Sequence, residues 1–159
     1  MCLAVYLGID RALARFTDVA VGEIGLEADP SLRPKALAEK RLVYHVSDRV
    51  PTGWNCACIF LDQVVPWEAE KGDDPDDPET PARAKAYAGL QRIARAALGA
   101  DSSPLIFSCW WGDQQEPPAL TRDCTPDDIR PARYLFDDTL DGGQGGNPPI
   151  LIRLREAHP

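Results

Sequence analysis

Cys2-Leu3-Ala4-Val5-Tyr6-Leu7-Gly8-Ile9 is an unbroken apolar run of strand length, stopped by Asp10 and Arg11. Successive side chains of a strand point to opposite faces, so a run without polar alternation predicts a strand covered on both sides. A second run of the same kind, Leu105-Ile106-Phe107-Ser108-Cys109-Trp110-Trp111, predicts another strand in the middle of a sheet.

Working outward, Arg41–Ser47 and Asn55–Asp62 flank the turn-formers Pro51, Thr52 and Gly53, which predicts an antiparallel pair. Val19–Leu26 predicts a weaker strand interrupted by Gly22 and Gly25. After it, Asp29-Pro30 and Pro34 predict irregular chain or a short helix up to Lys40. Residues 68–81 form an acidic, proline-rich stretch, Asp73, Asp74, Asp76, Asp77 and Glu79 being broken by Pro75, Pro78 and Pro81, and this predicts a solvated loop.

Thr80 supplies a helix N-cap and Pro81 a first helical residue. Ala86, Leu90, Ile93 and Ala97 then fall at helical spacing before Gly99. Arg83, Lys85, Arg92 and Arg95 read as its solvated face. Thr125-Pro126-Asp127-Asp128 predicts a single helical turn, stopped by Pro131. Arg133–Phe136 and Ile150–Leu154 predict closing strands. The glycine-rich loop 138–149 near them lacks the strand-to-helix setting of a phosphate cradle. Strands outnumber helices, so the expected architecture is α+β: a single domain over residues 1–159, with a mostly antiparallel sheet and one principal helix packed on it.

A chain of 159 residues, 44% hydrophobic and 26% charged, is long enough to bury one core without staples. The net charge of -8 repels phosphate backbones and anionic lipid, which argues against nucleic-acid and membrane partners. No apolar run approaches the roughly 20 residues that span a bilayer, and no basic-then-apolar leader opens the chain. A cytoplasmic location is the expectation. Five cysteines, an odd number, predict reduced thiols rather than a disulfide framework.

Thiols are the first candidate chemistry, because thiolates ligate structural zinc and Cys2, Cys56, Cys58 and Cys109 lie on segments that one sheet could hold. Geometry opposes the tight Cys56-Ala57-Cys58 pair. In a straight strand its α-carbons stand roughly 6.6 Å apart, whereas two sulfurs on one zinc approach to about 3.8 Å. The pair chelates only if the chain bends, and packing of small apolar side chains is the favoured reading. Cys2, exposed by loss of Met1, would suit an N-terminal nucleophile, and His45 would suit a base for a thiol across a strand pair. A buried or surface histidine is the plainer reading of His45. Trp110, Trp111, Asp113 and Gln114 place aromatic bulk beside polar groups at a strand's end, a composition that suits a ligand pocket and also the rim of a core.

Three stretches carry a resemblance. Met1-Cys2-Leu3-Ala4-Val5-Tyr6, Cys56-Ala57-Cys58-Ile59-Phe60, and Ser108-Cys109-Trp110-Trp111-Gly112-Asp113-Gln114 with Glu116-Pro117-Pro118 together resemble a group of small bacterial proteins of unknown function. Those proteins open on a Met-Cys strand and carry a Cys-Gly-Cys-Gly-Phe-like motif. The resemblance implies a shared order of elements and a shared fold, and brings no activity. Ala57 and Ile59 stand where that motif has glycines, and Asp48 stands where relatives have histidine, so both departures weaken a metal reading.

The leading expectation is therefore a binding or interaction protein without cofactor or catalytic apparatus, its partner another protein or a small molecule. The alternative is a zinc-like thiol site built from Cys56, Cys58, Cys109 and Cys2.

Overall fold

The computed structural model describes residues 2–13, 24–28, 33–48, 57, 60, 81–130, 135–138, 141–142 and 146–157, with backbone alone at 28, 48 and 81–83. The apolar runs become strands β1 (Leu3–Ile9) and β4 (Leu105–Trp110). Around them lie β2 (Ile24–Ala28), β3 (Leu42–Asp48), β5 (Leu120–Cys124) and β6 (Ile150–Leu154), with one long helix, α1 (Pro81–Ala100). The strands make one six-stranded sheet in the order β2-β3-β1-β4-β6-β5. Every neighbouring pair is antiparallel except β5 with β6. This is the expected single-domain α+β arrangement.

β1 and β4 are central, so both of their faces must be covered, and alternation divides them. Leu3, Val5, Leu7 and Ile9 point toward α1 and pack with Ala86, Tyr87, Leu90, Ile93, Ala94 and Ala97, one stripe of the helix. Ile106, Ile150 and Ile152 extend the same core. Fully burying Leu90 or Ile93 stabilises the fold by about 2 kcal/mol each. The exposed helix face carries Lys85, Arg92 and Arg95, and the solvated Arg95–Asp127 pair contributes little. Gln91 Nε2 donates to Ile129 O at 2.8 Å and ties the helix to the short turn at 126–128. In that turn the Asp128 carboxylate accepts from both the N–H and the hydroxyl of Thr125, at 2.9 and 2.8 Å.

The opposite face is smaller. Ala4, Tyr6, Phe107 and Cys109 pack there with Leu37, which a 3₁₀ turn at Lys35–Leu37 delivers. Gly8 makes room for that segment: a side chain there would start 2.9 Å from Lys40 Cγ and 3.0 Å from Leu37 Cδ2.

Two expectations need correction. Residues 41–47 do not pair with 55–62, because the two edges of β3 are taken by β1 and β2. Phe60 N–H donates to Ala57 O at 3.0 Å, and the other residues of 55–62 lie outside the described residues. Leu135 and Phe136 lie in a turn rather than a closing strand, and the outer strand is β5, which no apolar pattern announces. Within the 138–149 loop, Asp138 N–H donates to Gly146 O at 2.9 Å, and Gly142 holds a φ of 80° that favours glycine. Thr80 and the acidic segment 68–80 lie outside the described residues.

Candidate functional site

The face opposite α1 gathers polar side chains that strand register alone brings together. Tyr6 of β1 stands opposite His45 of β3, their ring centroids 5.2 Å apart, and His45 meets the Trp111 ring edge-on at 5.6 Å and 69°. Trp111 lies just past β4, where its N–H continues the β1–β4 pairing by donating to Cys2 O at 2.8 Å. Gly112 then turns the chain at a φ of 113°, a conformation that side chains oppose. Gln114 closes the turn: its Oε1 accepts from Gly112 N–H at 3.0 Å and its Nε2 donates to the Tyr6 hydroxyl at 3.1 Å. Its carbonyl accepts from Lys35 N–H at 2.9 Å, which ties the turn to the segment covering this face.

His45 and Gln114 are buried, whereas Trp111 is 43% exposed. It is the exposed large apolar side chain among the described residues. Its seat is fixed by backbone and ring contacts rather than left to solvent.

Of the four residues read as a pocket, Trp111 and Gln114 share this face and Asp113 lies in the turn between them. Trp110, one residue earlier in β4, packs against the α1-side core instead. Tyr6 and His45 complete the cluster. His45 is buried, in keeping with the plainer reading of it as a core or surface histidine, and its cross-strand neighbours are Tyr6 and Glu27 rather than a thiol.

The thiols divide. Cys109 is fully buried among apolar neighbours, and burial, with the Asp113 charge added, pushes its thiol up to about 12. It is a packing residue that resists forming thiolate. Cys2 is half-buried on the same face, and Cys124 donates its thiol to Thr125 O at 3.2 Å. Among the described residues no three His, Cys, Asp or Glu side chains are grouped to hold a metal; Cys56 and Cys58 lie outside them. Met1, whose loss an N-terminal nucleophile requires, lies outside them as well.

Sequence reading missed a second polar cluster, at the far end of β1. Lys40 Nζ reaches Asp10 Oδ2 at 2.9 Å, Asp101 Oδ2 at 3.5 Å and Ser103 Oγ at 3.1 Å. A lysine beside a serine invites comparison with a Ser–Lys dyad, but three acceptors occupy the three ammonium protons and leave no base. The cluster is a staple. Lys40 and the Arg41 N–H hold the Asp10 carboxyl below the usual carboxylate range. Burial works to raise Asp101, yet the N–H groups of Ser103 and Asp10 and the Lys40 charge hold it low as well.

A second cation, Arg122, its side chain largely covered, organises the β5–β6 crossover. Arg122 donates to Leu135 O at 2.7 Å and to Asp137 O at 2.5 Å and pairs with Asp141. Asn147 Nδ2 donates to Phe136 O at 2.7 Å beside it. Among the described residues no helix is long and apolar enough to cross a membrane. Compared with protein-family models, curated proteins and solved structures, the chain matches none.

Proposed function

We propose that this protein works by binding, through the surface around Trp111 on the face opposite α1, and that its partner is another protein. The observation that carries this reading is a large aromatic ring, 43% exposed, standing on a seat built of His45, Tyr6 and Gln114. An exposed tryptophan held rigid loses little conformational freedom on binding, which is why such residues anchor interfaces. The net charge of -8 suits a partner with a basic surface and disfavours nucleic acid.

The test replaces Trp111 with a photo-crosslinking aromatic residue and, as control, does the same at Ala88 on the exposed side of α1. A discrete adduct formed from position 111 and absent from position 88 is expected, and Trp111→Ala should abolish partner binding while costing less than about 0.5 kcal/mol of stability. Identical adduct patterns from both positions would sink the reading, as would catalytic turnover by the purified protein that Trp111→Ala leaves untouched.

A further inference from the structure

We propose that the Trp111 surface recognises arginine: a guanidinium of the partner protein lies on the indole face and donates to the carboxylates of Asp113 and Glu116. The proposal rests on the reading of Trp111 as a binding surface and names what that surface takes. An exposed ring by itself suits an apolar side chain equally well, so the residues that follow it decide.

Two consecutive turns carry those residues. Asp113 N–H donates to Trp110 O at 3.0 Å and Glu116 N–H donates to Asp113 O at 2.9 Å, so the chain folds back twice between Trp110 and Glu116. Gln114, buried between the two acids, is held through its side chain by Gly112 N–H and the Tyr6 hydroxyl, and through its carbonyl by Lys35 N–H. Both acids thus ride on a fixed frame, Glu116 exposed and Asp113 partly so. The Asp113 charge also reaches the face on which Trp111 stands. Burial first, and then that charge, pushes the thiol of Cys109, which packs with Tyr6, up to about 12.

The two carboxylates are uncommitted. Asp10, Asp101, Asp123, Asp127 and Asp141 each meet a lysine or an arginine. Asp113 and Glu116 have no side-chain ion pair or hydrogen bond among the described residues, although Arg33 and Lys35 lie on the segment tied to this turn; the Arg33 guanidinium turns instead to Leu37 O, at 3.4 Å. A cation is the group this spot lacks. The quadrupole of an indole attracts a cation to its face more strongly than that of any other side chain. Arginine fits better than lysine, because its flat, weakly hydrated guanidinium stacks on the ring while its edge N–H groups donate to carboxylates. An apolar occupant would desolvate both carboxylates without replacing the water they lose, and a phosphate would be repelled by them.

Blocked tetrapeptides of arginine, lysine and citrulline probe the full chain, citrulline matching arginine in shape without its charge. The readout is the Trp111 indole N–H resonance, assigned by its absence from Trp111→Phe. Tetra-arginine should move it saturably, tetra-lysine should bind more weakly, and tetra-citrulline should leave it in place. Asp113→Asn and Glu116→Gln should each weaken tetra-arginine binding about 2- to 5-fold. Glu156→Gln, which removes an equal charge from an exposed position beyond β6, should not. Equal weakening by Glu116→Gln and Glu156→Gln would reduce the effect to bulk attraction and overturn the proposal. So would a citrulline or lysine peptide that matches tetra-arginine, or no response to tetra-arginine at all. A partner cross-linked from position 111 while tetra-arginine stays silent would leave the binding surface standing and defeat the arginine alone.

Discussion

On the α1 side of the sheet, Leu3, Val5, Leu7 and Ile9 meet a helix stripe and two isoleucines of β6, and the contact is almost wholly apolar. On the other side the same strand presents Ala4, Tyr6 and Gly8, and what meets them is a short cluster of apolar groups laced with Lys40, His45 and Gln114. The first face is held by area removed from water, which is tolerant of detail. The second is held by particular atoms at particular distances, and the Trp111 surface is built on it. One side supplies stability in bulk and the other spends its residues on positioning.

The largest expected break in that contrast comes from Lys40→Ala. Removing the ammonium leaves the Asp101 carboxylate buried without its counter-charge, a loss of about 4 kcal/mol by denaturant titration at neutral pH. The same cluster sets acid sensitivity. Asp10 and Asp101 are held below their usual range when folded, so the stability they contribute is present above about pH 4 and drains away as pH falls through the folded-state values. The gap between Lys40→Ala and the unaltered protein should therefore narrow below pH 4; a gap that stays constant would show that the cluster is not ionised as described.

Leu90→Ala tests the opposite face and should cost about 3 kcal/mol, with the Trp111 emission unchanged because no part of that site is touched. Gly8→Ala is a smaller change on the positioning side. It drives a methyl against Lys40 and Leu37, and should cost about 2 kcal/mol while shifting Trp111 emission if the covering segment moves. Ser108→Ala carries the opposite sign. Its hydroxyl is fully buried on the α1 side with no hydrogen-bond partner among the described residues, so replacing it should raise stability by about 1 kcal/mol in thermal unfolding.

The apolar face was legible in the sequence and the polar face largely was not. β1, β4, β6 and α1 announce themselves because burial on both sides, or along a helical stripe, demands an apolar pattern that can be read locally. β5, Leu120-Thr121-Arg122-Asp123-Cys124, is an edge strand with Thr121 and Asp123 exposed, so its composition looks like loop. What makes it a strand is the parallel register with β6, and Arg122 is spent on holding the crossover rather than on solvent. Likewise Trp111 and Gln114 could be picked out as neighbours in sequence. Tyr6 and His45 could not, because nothing local states that β3 lies beside β1 or that residue 6 falls opposite residue 45.

The placement of β6 between β4 and β5 has a consequence for how the molecule is made. Both of its neighbours are synthesised earlier, so until residues 150–154 leave the ribosome β4 lacks one partner and β5 lacks its one partner among the described strands. A nascent chain arrested before that point presents unpaired backbone beside Phe107 and Ile106, the kind of template on which other chains stack. Of these six strands, the last to emerge is thus the one that seals the sheet, and quality control by chaperones has its natural point of action in the interval before it arrives.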